Sequence, residues 1–335
     1  MNHSELIALL KPETAHIDQA MRQDLAGIGN QRLGQVLEYA IFNGGKRVRP
    51  LLTVLAARLC WQRQGRENGA AHRAPLYRLS LAFEYLHAAS LLHDDVIDRA
   101  DRRRGRTTAN RVWDNTHVIL AGDYLHTRAM LLAGTIGGEE CLAAIGLATT
   151  AMVESEFMQL ENAENRDPSA DRYFAVLHGK TAALIAAAAS TGAIFSKAGQ
   201  DECQALHTFG RNLGLTFQIV DDLLDYQGDP QKTGKVVGND FTEGKMTLPL
   251  ILALDRAGSE DRAALLALLH GPAAERAEAL PQACEIIQRA DGFQKAKAKA
   301  RALVGEAVDA LALFGKTPER EVMTALAGYV LNRER

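Results

Sequence analysis

Long apolar segments with few helix breakers most constrain how this chain of 335 residues can fold. It has only 9 prolines, and its apolar residues recur with helical spacing rather than in the alternating pattern of half-buried strands. We therefore expect an all-α protein, a helical bundle with long helices and short connections. The predicted helical segments are 76–97, 118–133, 141–160, 205–226 and 248–254. The predicted breaks lie at 61–75, 99–108, 162–170, 227–244 and 270–281.

Composition narrows the class of protein. Hydrophobic residues make up 47% and charged residues 24% of the chain, which excludes a disordered or fibrous protein. The formal net charge of −3 provides no overall field that would attract nucleic acid. Because no composition shift or linker marks a boundary, we expect one domain over 1–335. The longest uncharged stretch, 181–196, is shorter than the ~20 residues of a membrane span, so it predicts a buried core helix and no transmembrane segment.

The N-terminus and the cysteines lead us to expect a cytoplasmic protein. The first residues lack the cationic start and apolar run of a secretory signal. The cysteines lie far apart, without the spacing of metal ligands, and predict buried, reduced thiols. They are Cys60, Cys141, Cys203 and Cys284.

The pattern Asp-Asp-x-x-Asp occurs twice, each time after an apolar helical segment. On a helix the first and last aspartates of the pattern lie about 40° apart and face the same way. Such carboxylates repel one another unless a cation neutralises them, and an oxygen-only ligand set favours Mg²⁺, which often bridges to a substrate phosphate. Two clusters on facing helices could hold a diphosphate, and the alternative is solvated helix ends. The two sets are Asp94, Asp95 and Asp98, and Asp221, Asp222 and Asp225.

Basic residues flank both aspartate motifs. In the run GGKRVRP, two glycines precede Lys46 and Arg49, so that the backbone can approach an anion while the two cations grip it. Five arginines lie within 99–106, directly after the first motif, where diphosphate binding is favoured over a solvated loop. Lys180 and Thr181 open the alanine-rich helix predicted there, and Lys235 and Lys245 flank a glycine-rich loop after the second motif.

Five ordered motifs resemble the trans-isoprenyl diphosphate synthase family, and its polyprenyl (long-chain) branch best. The likeness runs from about residue 15 to the closing LAGYVLNRER. It implies a single-domain, all-α homodimer whose central cavity is capped by the two aspartate motifs. The motifs are GGKRVRP, LLHDDVID with RRRG, GKTAAL, FQIVDDLLDY and GKVVGNDFTEGKMTLP.

The resemblance implies a role for each matching side chain. Both aspartate motifs would bind Mg²⁺ ions, several per site, which bridge an allylic diphosphate, and Thr181 and Gln218 would line the reacting carbon. The implied catalytic set is Asp94, Asp98, Lys180, Thr181, Gln218 and Asp221. The implied contacts to the allylic diphosphate are Arg103, Lys180 and Lys235, with Lys245 close by, and those to isopentenyl diphosphate are Lys46, Arg49, His87 and Arg104.

The implied activity is a Mg²⁺-dependent condensation of isopentenyl diphosphate with farnesyl or geranylgeranyl diphosphate. The product would be a trans-polyprenyl diphosphate longer than C15, in the range C30 to C40, or alternatively C20 to C25. Diphosphate loss needs charge stabilisation but no protein nucleophile, which agrees with the absence of Ser-His-Asp, GxSxG and HExxH patterns. The partners expected are the small-molecule diphosphates, a second copy of the chain, and a membrane only in transient contact for product release.

Three other readings compete with this one. A terpene cyclase also uses an aspartate-rich helix and Mg²⁺, but it has no use for the second diphosphate site that GGKRVRP indicates. An inactive partner subunit of a heteromeric synthase would have an eroded aspartate motif, and both motifs here are whole. A helical scaffold protein is the remaining non-enzyme alternative.

Product length depends on the helix that carries the first motif. One helical turn, about 5.4 Å, is close to the length of one isoprene unit. Ala89 lies where short-chain relatives have an aromatic plug, so the sequence predicts an open path at that level. One turn deeper lies Tyr85, which either packs against a neighbouring helix, swings aside to allow a long product, or stops the chain near C20 to C25. Leu86 lies at the same level as Tyr85, and the small residue Ala82 lies beyond them, so the sequence does not decide between these alternatives.

Overall fold

Helices account for almost all of the computed structural model. Among the described residues, the strands Arg102–Arg103 (β1) and Arg106–Thr107 (β2) form one short antiparallel pair, with Arg102 opposite Thr107. The expected all-α fold is confirmed. The structure describes residues 3–66, 70–103, 105–165, 167–228 and 237–333.

The helices coincide with all five predicted helical segments. Turns of π-helix, Ala133–Gly137 and His178–Ala182, precede the helices that begin at Gly138 and Ala183, and a 3₁₀ turn, Leu311–Phe314, precedes the last helix. The helices are α1 His3–Leu25, α2 Gln31–Ile41, α3 Val48–Arg63, α4 Ala70–Ile97, α5 Ala109–Val112, α6 Asn115–Leu132, α7 Gly138–Asn165, α8 Ala170–Leu177, α9 Ala183–Phe195, α10 Gln200–Gln227, α11 Asn239–Glu243, α12 Leu248–Arg256, α13 Ser259–His270, α14 Ala273–Arg289, α15 Gly292–Ala310 and α16 Pro318–Leu331.

The chain groups into two compact units. The first unit contains residues 1–149, 184–210 and 311–325, and the second contains 150–183, 211–310 and 326–335. The first aspartate motif belongs to the first unit and the second motif to the second unit. The expectation of one domain over 1–335 stays a prediction.

The core of the first unit is built around the uncharged helix α9. Ala186, Ala188 and Ala189 have no exposed surface. A Cβ added at Gly192 would lie 2.3 Å from the carbonyl oxygen of Thr53, so the absence of a side chain lets α9 approach α3 closely. The Thr53 hydroxyl donates a hydrogen bond to the carbonyl of Ala188 at 2.9 Å. The prediction that 181–196 forms a buried core helix is therefore confirmed.

The core of the second unit lies between the end of α10 and the helices that follow it. Tyr226, in the last turn of α10, packs edge-on against Phe293 of α15, with ring centroids 5.7 Å apart. A Cβ at Gly292 would lie 2.3 Å from the carbonyl oxygen of Pro249, which explains the small residue where α15 begins against α12. This apolar packing fixes the helix segment that carries the second aspartate motif.

The break predicted over 270–281 is much shorter in the structure, and the prediction is wrong from Ala273 onwards, where the chain is helical. Only Gly271 and Pro272 separate α13 from α14, and Pro281 lies inside α14. The buried Arg276 side chain donates to the carbonyl oxygens of Gly271, at 2.6 Å, and Thr242, at 2.7 Å, so the first turns of α14 are held in place. These tertiary contacts outweigh the poor helix preference of proline.

Two further predicted breaks are shorter than expected. Within 61–75, α3 continues to Arg63 and α4 already begins at Ala70. Packing explains the extension of α3, because Trp61 is buried and contacts the ring of Phe195 edge-on at 6.2 Å. Within 227–244, residues 239–243 form the short helix α11.

The thiols are only partly as expected. Cys60 and Cys141 are buried, and burial raises the pKa of each thiol to about 12. Cys203 and Cys284 are half-buried, so the prediction of four buried thiols is wrong for these two. Cys284 packs at the edge of the core of the second unit rather than inside it.

Two helical stretches are long and apolar enough to cross a membrane by length and composition. Residues 170–195 are 72% buried in their most apolar window, as expected of a core helix. Residues 115–162 are only 22% buried in theirs. Exposed apolar side chains therefore occur on both α6 and α7. They are Ile119, Leu120 and Leu131 on α6, and Leu142, Leu147, Val153, Phe157, Met158 and Leu160 on α7.

Candidate active site

The first aspartate motif lies where α4 ends. Asp94 is half-buried, Asp95 is buried and Asp98, just past the helix, is exposed. The amide of Asp98 still donates to the carbonyl of Asp94 at 2.8 Å, so the motif keeps its helical spacing. Arg99 then adopts a left-handed backbone conformation (φ 51°), which turns the chain out of the helix. The first and last carboxylates are thus both accessible from solvent.

The β1–β2 hairpin returns a basic side chain to this motif. The Arg103 guanidinium donates to Asp95 Oδ1, with Nε 2.7 Å away. The Asn110 amide donates to the carbonyl of Asp95 at 3.2 Å, and Gly105 (φ +76°) makes the hairpin turn. Arg103, predicted from sequence as a diphosphate contact, is therefore held against the first aspartate motif.

The cationic side chains of the glycine-rich basic run before α3 differ in their exposure to solvent. Arg47 is 5% exposed and donates to Glu84 Oε1 at 2.6 Å and to Asp18 Oδ1 at 2.8 Å. Lys46 is exposed and Arg49 half-buried on either side of it. The left-handed backbone of Arg47 (φ 48°) places its side chain inward while the run enters the helix. Arg47 is a structural residue that the sequence motif did not distinguish from its neighbours.

The second aspartate motif occupies the last turns of α10. Asp221 Oδ1 accepts a hydrogen bond from Arg333 Nη2 at 2.7 Å, and the same guanidinium lies 3.9 Å from the centroid of the Phe217 ring. Asp225 Oδ2 accepts from the amide of Asp240 at 2.9 Å, just where α11 starts. The end of α10 is thereby linked to α11.

Asp222, the middle residue of this motif, is 5% exposed and bonded through both oxygens. Oδ2 accepts from the Tyr173 hydroxyl at 2.6 Å and Oδ1 from Gln218 Nε2 at 3.1 Å. Burial, with the neighbouring charges of Asp240 and Asp221, raises the pKa of Asp222 to about 7. Burial and Asp240 likewise raise the pKa of Asp225 to about 6. Burial and like charges therefore disfavour the ionised form of these carboxyls, and a bound cation would favour it.

The π turn before α9 brings Lys180 and Thr181 to the same unit. The absence of a side chain at Gly179 lets this turn contact α7, since a Cβ there would lie 2.4 Å from the carbonyl oxygen of Ala151. Lys180 Nζ pairs with Glu156 Oε1 at 2.7 Å. The Thr181 hydroxyl donates to Gln218 Oε1 at 3.3 Å. Thr181 and Gln218, both predicted to line the reacting carbon, are therefore in contact.

Lys245 follows α11 and forms ion pairs with two carboxylates. Its Nζ lies 2.7 Å from Glu243 Oε2 and 3.2 Å from Asp240 Oδ1. Burial opposes the charge of Lys245, but Asp240 and Glu243 outweigh it and raise the lysine pKa above its ordinary value. Lys245 thus stays cationic close to the second aspartate motif.

Comparison with known proteins shows the family to which this chain belongs. A family model described as polyprenyl synthetase matches residues 30–287. The chain belongs to the polyprenyl synthetase family. The expected prenyltransferase activity is thereby confirmed, because the members of this family are trans-prenyl diphosphate synthases.

Three relatives illustrate the range of the family. The octaprenyl diphosphate synthase of Escherichia coli (strain K12) is 34% identical over 331 residues, covering 95% of this chain and 98% of that protein. The short chain isoprenyl diphosphate synthase of Methanothermobacter thermautotrophicus is 34% identical over 334 residues, covering 98% and 99%. The structure of a Caulobacter crescentus polyprenyl synthase complexed with calcium and isoprenyl diphosphate has a TM-score of 0.84 at 32% identity, covering 99% of this chain and 98% of that one.

The donor set of this polyprenyl synthetase fits Mg²⁺. Across the described part of the chain, no three His, Cys, Asp or Glu side chains form a ready-made cage for an ion. Mg²⁺ does not need one, since it keeps several waters and is held by one or two carboxylates together with substrate phosphates. Asp94 and Asp98 in one unit, and Asp221 and Asp225 in the other, are oxygen ligands of the required kind and are at least partly accessible.

The structure places most, but not all, of the predicted site residues. His87 is half-buried two helical turns before Asp94, on the same face of α4. Arg104 and Lys235 lie outside the described residues.

The site residues that sequence reasoning missed are Tyr173, Asp240 and Arg333. Tyr173 stands two turns before Lys180 and Asp240 follows a glycine-rich run, which are weak signals, and nothing in the sequence pattern marks Arg333.

Proposed function

We propose that this polyprenyl synthetase condenses isopentenyl diphosphate with farnesyl or geranylgeranyl diphosphate, in a Mg²⁺-dependent reaction, to a trans-polyprenyl diphosphate of C30 to C40. Membership of the family gives the reaction class. The observation that carries the proposal is that both aspartate motifs are intact and each contacts a functional side chain, Arg103 at Asp95 and Gln218 at Asp222. The likeness to an octaprenyl diphosphate synthase supports a long product.

Each predicted site residue has a part in this proposal. When bound, Mg²⁺ supplies charge that stabilises the departing diphosphate. The metal ligands proposed are Asp94, Asp95, Asp98, Asp221, Asp222 and Asp225. The allylic diphosphate would be bound by Arg103, Lys180, Lys235 and Lys245, and isopentenyl diphosphate by Lys46, Arg49, His87 and Arg104. Thr181 and Gln218 would face the reacting carbon, where their oxygens stabilise the positive charge that develops as the diphosphate leaves.

A product of C20 to C25 is the second candidate, because the short chain synthase is as similar to this chain as the octaprenyl synthase is. The environment of Tyr85 bears on the choice. Its ring has no exposed surface, and its hydroxyl donates to Asp24 Oδ2 at 3.1 Å. Asp24 is held in turn by Arg128, with Nη2 2.6 Å and Nε 2.9 Å from its oxygens. These bonds support packing of Tyr85 against α1 and not a role as a free plug.

The exposed apolar side chains on one face of α7 support the proposal of a homodimer. Leu142, Val153, Phe157 and Leu160 lie within about 60° of one another on α7, and their relative exposures are 38%, 60%, 66% and 54%. Large exposed apolar side chains grouped on one helix face indicate a protein interface. We propose that a second copy covers it, that the chain acts as a single synthase domain in the cytoplasm, and that only product release involves a membrane.

The test is to incubate the purified protein with Mg²⁺, farnesyl diphosphate and radiolabelled isopentenyl diphosphate. The proposal predicts label in an apolar product that elutes, after dephosphorylation, at C30 to C40, and no product when EDTA replaces Mg²⁺. A cyclic hydrocarbon formed from farnesyl diphosphate alone would instead show a terpene cyclase. No turnover with any allylic primer would support the inactive-partner alternative.

A further inference from the structure

Tyr173 carries a buried hydroxyl that the proposed roles above do not use. It lies in α8 with 6% of its surface exposed and donates to Asp222 Oδ2 at 2.6 Å. Burial and the charge of Asp222 raise the pKa of Tyr173 well above its ordinary value, so the phenol keeps its proton and is the donor. A short hydrogen bond from a hydroxyl to a carboxylate is charge-assisted and among the stronger kinds.

The bond to Tyr173 continues through Asp222 to Gln218 and Thr181. Asp222 Oδ1 accepts from Gln218 Nε2 at 3.1 Å. The amide nitrogen of Gln218 thus faces Asp222, and its amide oxygen faces Thr181, whose hydroxyl donates to it at 3.3 Å. Gly214, one turn before Gln218, permits this contact, since a Cβ there would lie 2.6 Å from Ala182 Cα in the π turn.

We propose that Tyr173 is a positioning residue for prenyl transfer, which acts through Asp222 to fix the orientation of the Gln218 amide. This rests on the proposed function, in which Gln218 and Thr181 face the reacting carbon. An amide oxygen stabilises a developing positive charge only while it points towards it, and a preorganised dipole costs no reorientation during the reaction. Without the Tyr173 hydroxyl, Asp222 is free to rotate and the Gln218 amide can flip to present its NH₂ group.

The test variant is Tyr173→Phe, which removes the hydroxyl and nothing else. We expect kcat to fall about tenfold or more, while KM for each substrate changes less than about twofold, because the lost interaction acts in the transition state. Tyr226→Phe is the matched control. Tyr226 is also a buried tyrosine of the second unit, but its hydroxyl bonds Thr247 at 3.0 Å. The Tyr226→Phe variant should therefore leave kcat unchanged.

A double-mutant cycle shows whether the effect passes through Gln218. In a Gln218→Ala background, Tyr173→Phe should reduce kcat by less than about twofold, because the amide that it orients is gone. A full additional loss in that background, an unchanged kcat in Tyr173→Phe alone, or a loss confined to KM would overturn the proposal. Absence of turnover in the wild-type enzyme would contradict the proposed function instead.

A second variant tests the same chain of bonds if Tyr173→Phe does not fold. In Gln218→Glu, the new carboxylate cannot donate to Asp222, so we expect kcat to fall at least as far as in Gln218→Ala. Circular dichroism monitors the fold of each variant. Retention of wild-type kcat by folded Gln218→Glu would overturn the proposal.

Discussion

Lys46, Arg47 and Arg49 form one basic run, but the structure gives them different environments. Arg47 is buried against Glu84 and Asp18, whereas Lys46 is exposed. The sequence could indicate that this run binds an anion, since glycines and cations are local features. It could not show which cation is structural, because that depends on Glu84, a residue 37 positions away on another helix.

The accessible cationic side chains should each contribute to the binding of only one of the two substrates. Lys46→Ala and Arg49→Ala should raise KM for isopentenyl diphosphate about tenfold or more and leave KM for the allylic substrate nearly unchanged, since a charge-assisted contact contributes at least about 1.4 kcal/mol. Arg103→Ala should act mainly on the allylic side, because Arg103 is bonded to the first aspartate motif. Steady-state kinetics with each substrate varied will check this. Equal effects of all three variants on both substrates would contradict the division.

The raised carboxyl pKa values of the second motif predict a pH dependence of stability. An aspartate in the unfolded chain titrates near about pH 4, whereas the folded-state pKa is about 7 for Asp222 and about 6 for Asp225. The folded state therefore binds more protons between these values. The contribution of both groups to stability is complete below the unfolded pKa and is lost as the pH rises through the folded pKa.

We expect urea denaturation in EDTA to show that the contribution of these two groups to the free energy of unfolding decreases between about pH 4 and pH 7. Asp222→Asn should show a smaller fall over that range. Added Mg²⁺ should stabilise the protein more at about pH 8 than at about pH 5, because a cation binds only the ionised carboxylates. An Asp222→Asn profile parallel to that of the wild type would contradict this assignment.

At the scale of elements, helical spacing predicts where helices lie better than where they end. All five apolar segments are helices, because each buries one face over several turns. The breaks at 61–75 and 270–281 are wrong in extent, because Trp61 packing and Arg276 hydrogen bonds extend or stabilise the adjoining helices. The same limit applies to the site. The aspartate motifs are local, whereas the contacts of Tyr173 and Arg333 arise only from tertiary packing.

Helix α4 should determine product length. Ala89 is 4% exposed and lies on the turn before the first motif, so Ala89→Phe should shorten the product sharply to C15 or C20. Tyr85→Ala should leave the distribution nearly unchanged, because Tyr85 is bonded to Asp24 of α1. Chromatography of dephosphorylated products measures both. A wild-type C15 product, or no shortening by Ala89→Phe, would show that the chain does not extend along α4.

At the scale of the whole molecule, the exposed apolar surface of α7 should be a dimer interface. Phe157 is 66% exposed on that surface, and Phe157→Asp should shift the protein from dimer to monomer in sedimentation velocity, because a charge cannot be buried there unpaired. Leu9→Asp on α1, where the side chain is 50% exposed, is the control and should leave the dimer intact. A monomeric wild type, or a Phe157→Asp variant that still dimerises, would contradict this prediction.

The central claim is that the two aspartate motifs, which belong to different compact units of the chain, both serve one reaction. Its most direct test is the turnover number of Asp94→Ala and of Asp221→Ala at saturating Mg²⁺, with circular dichroism to show that each variant is folded. Each substitution alone should lower kcat by about a hundredfold or more, because the diphosphate charge is left uncompensated. Retention of half the wild-type activity by either folded variant would contradict the claim.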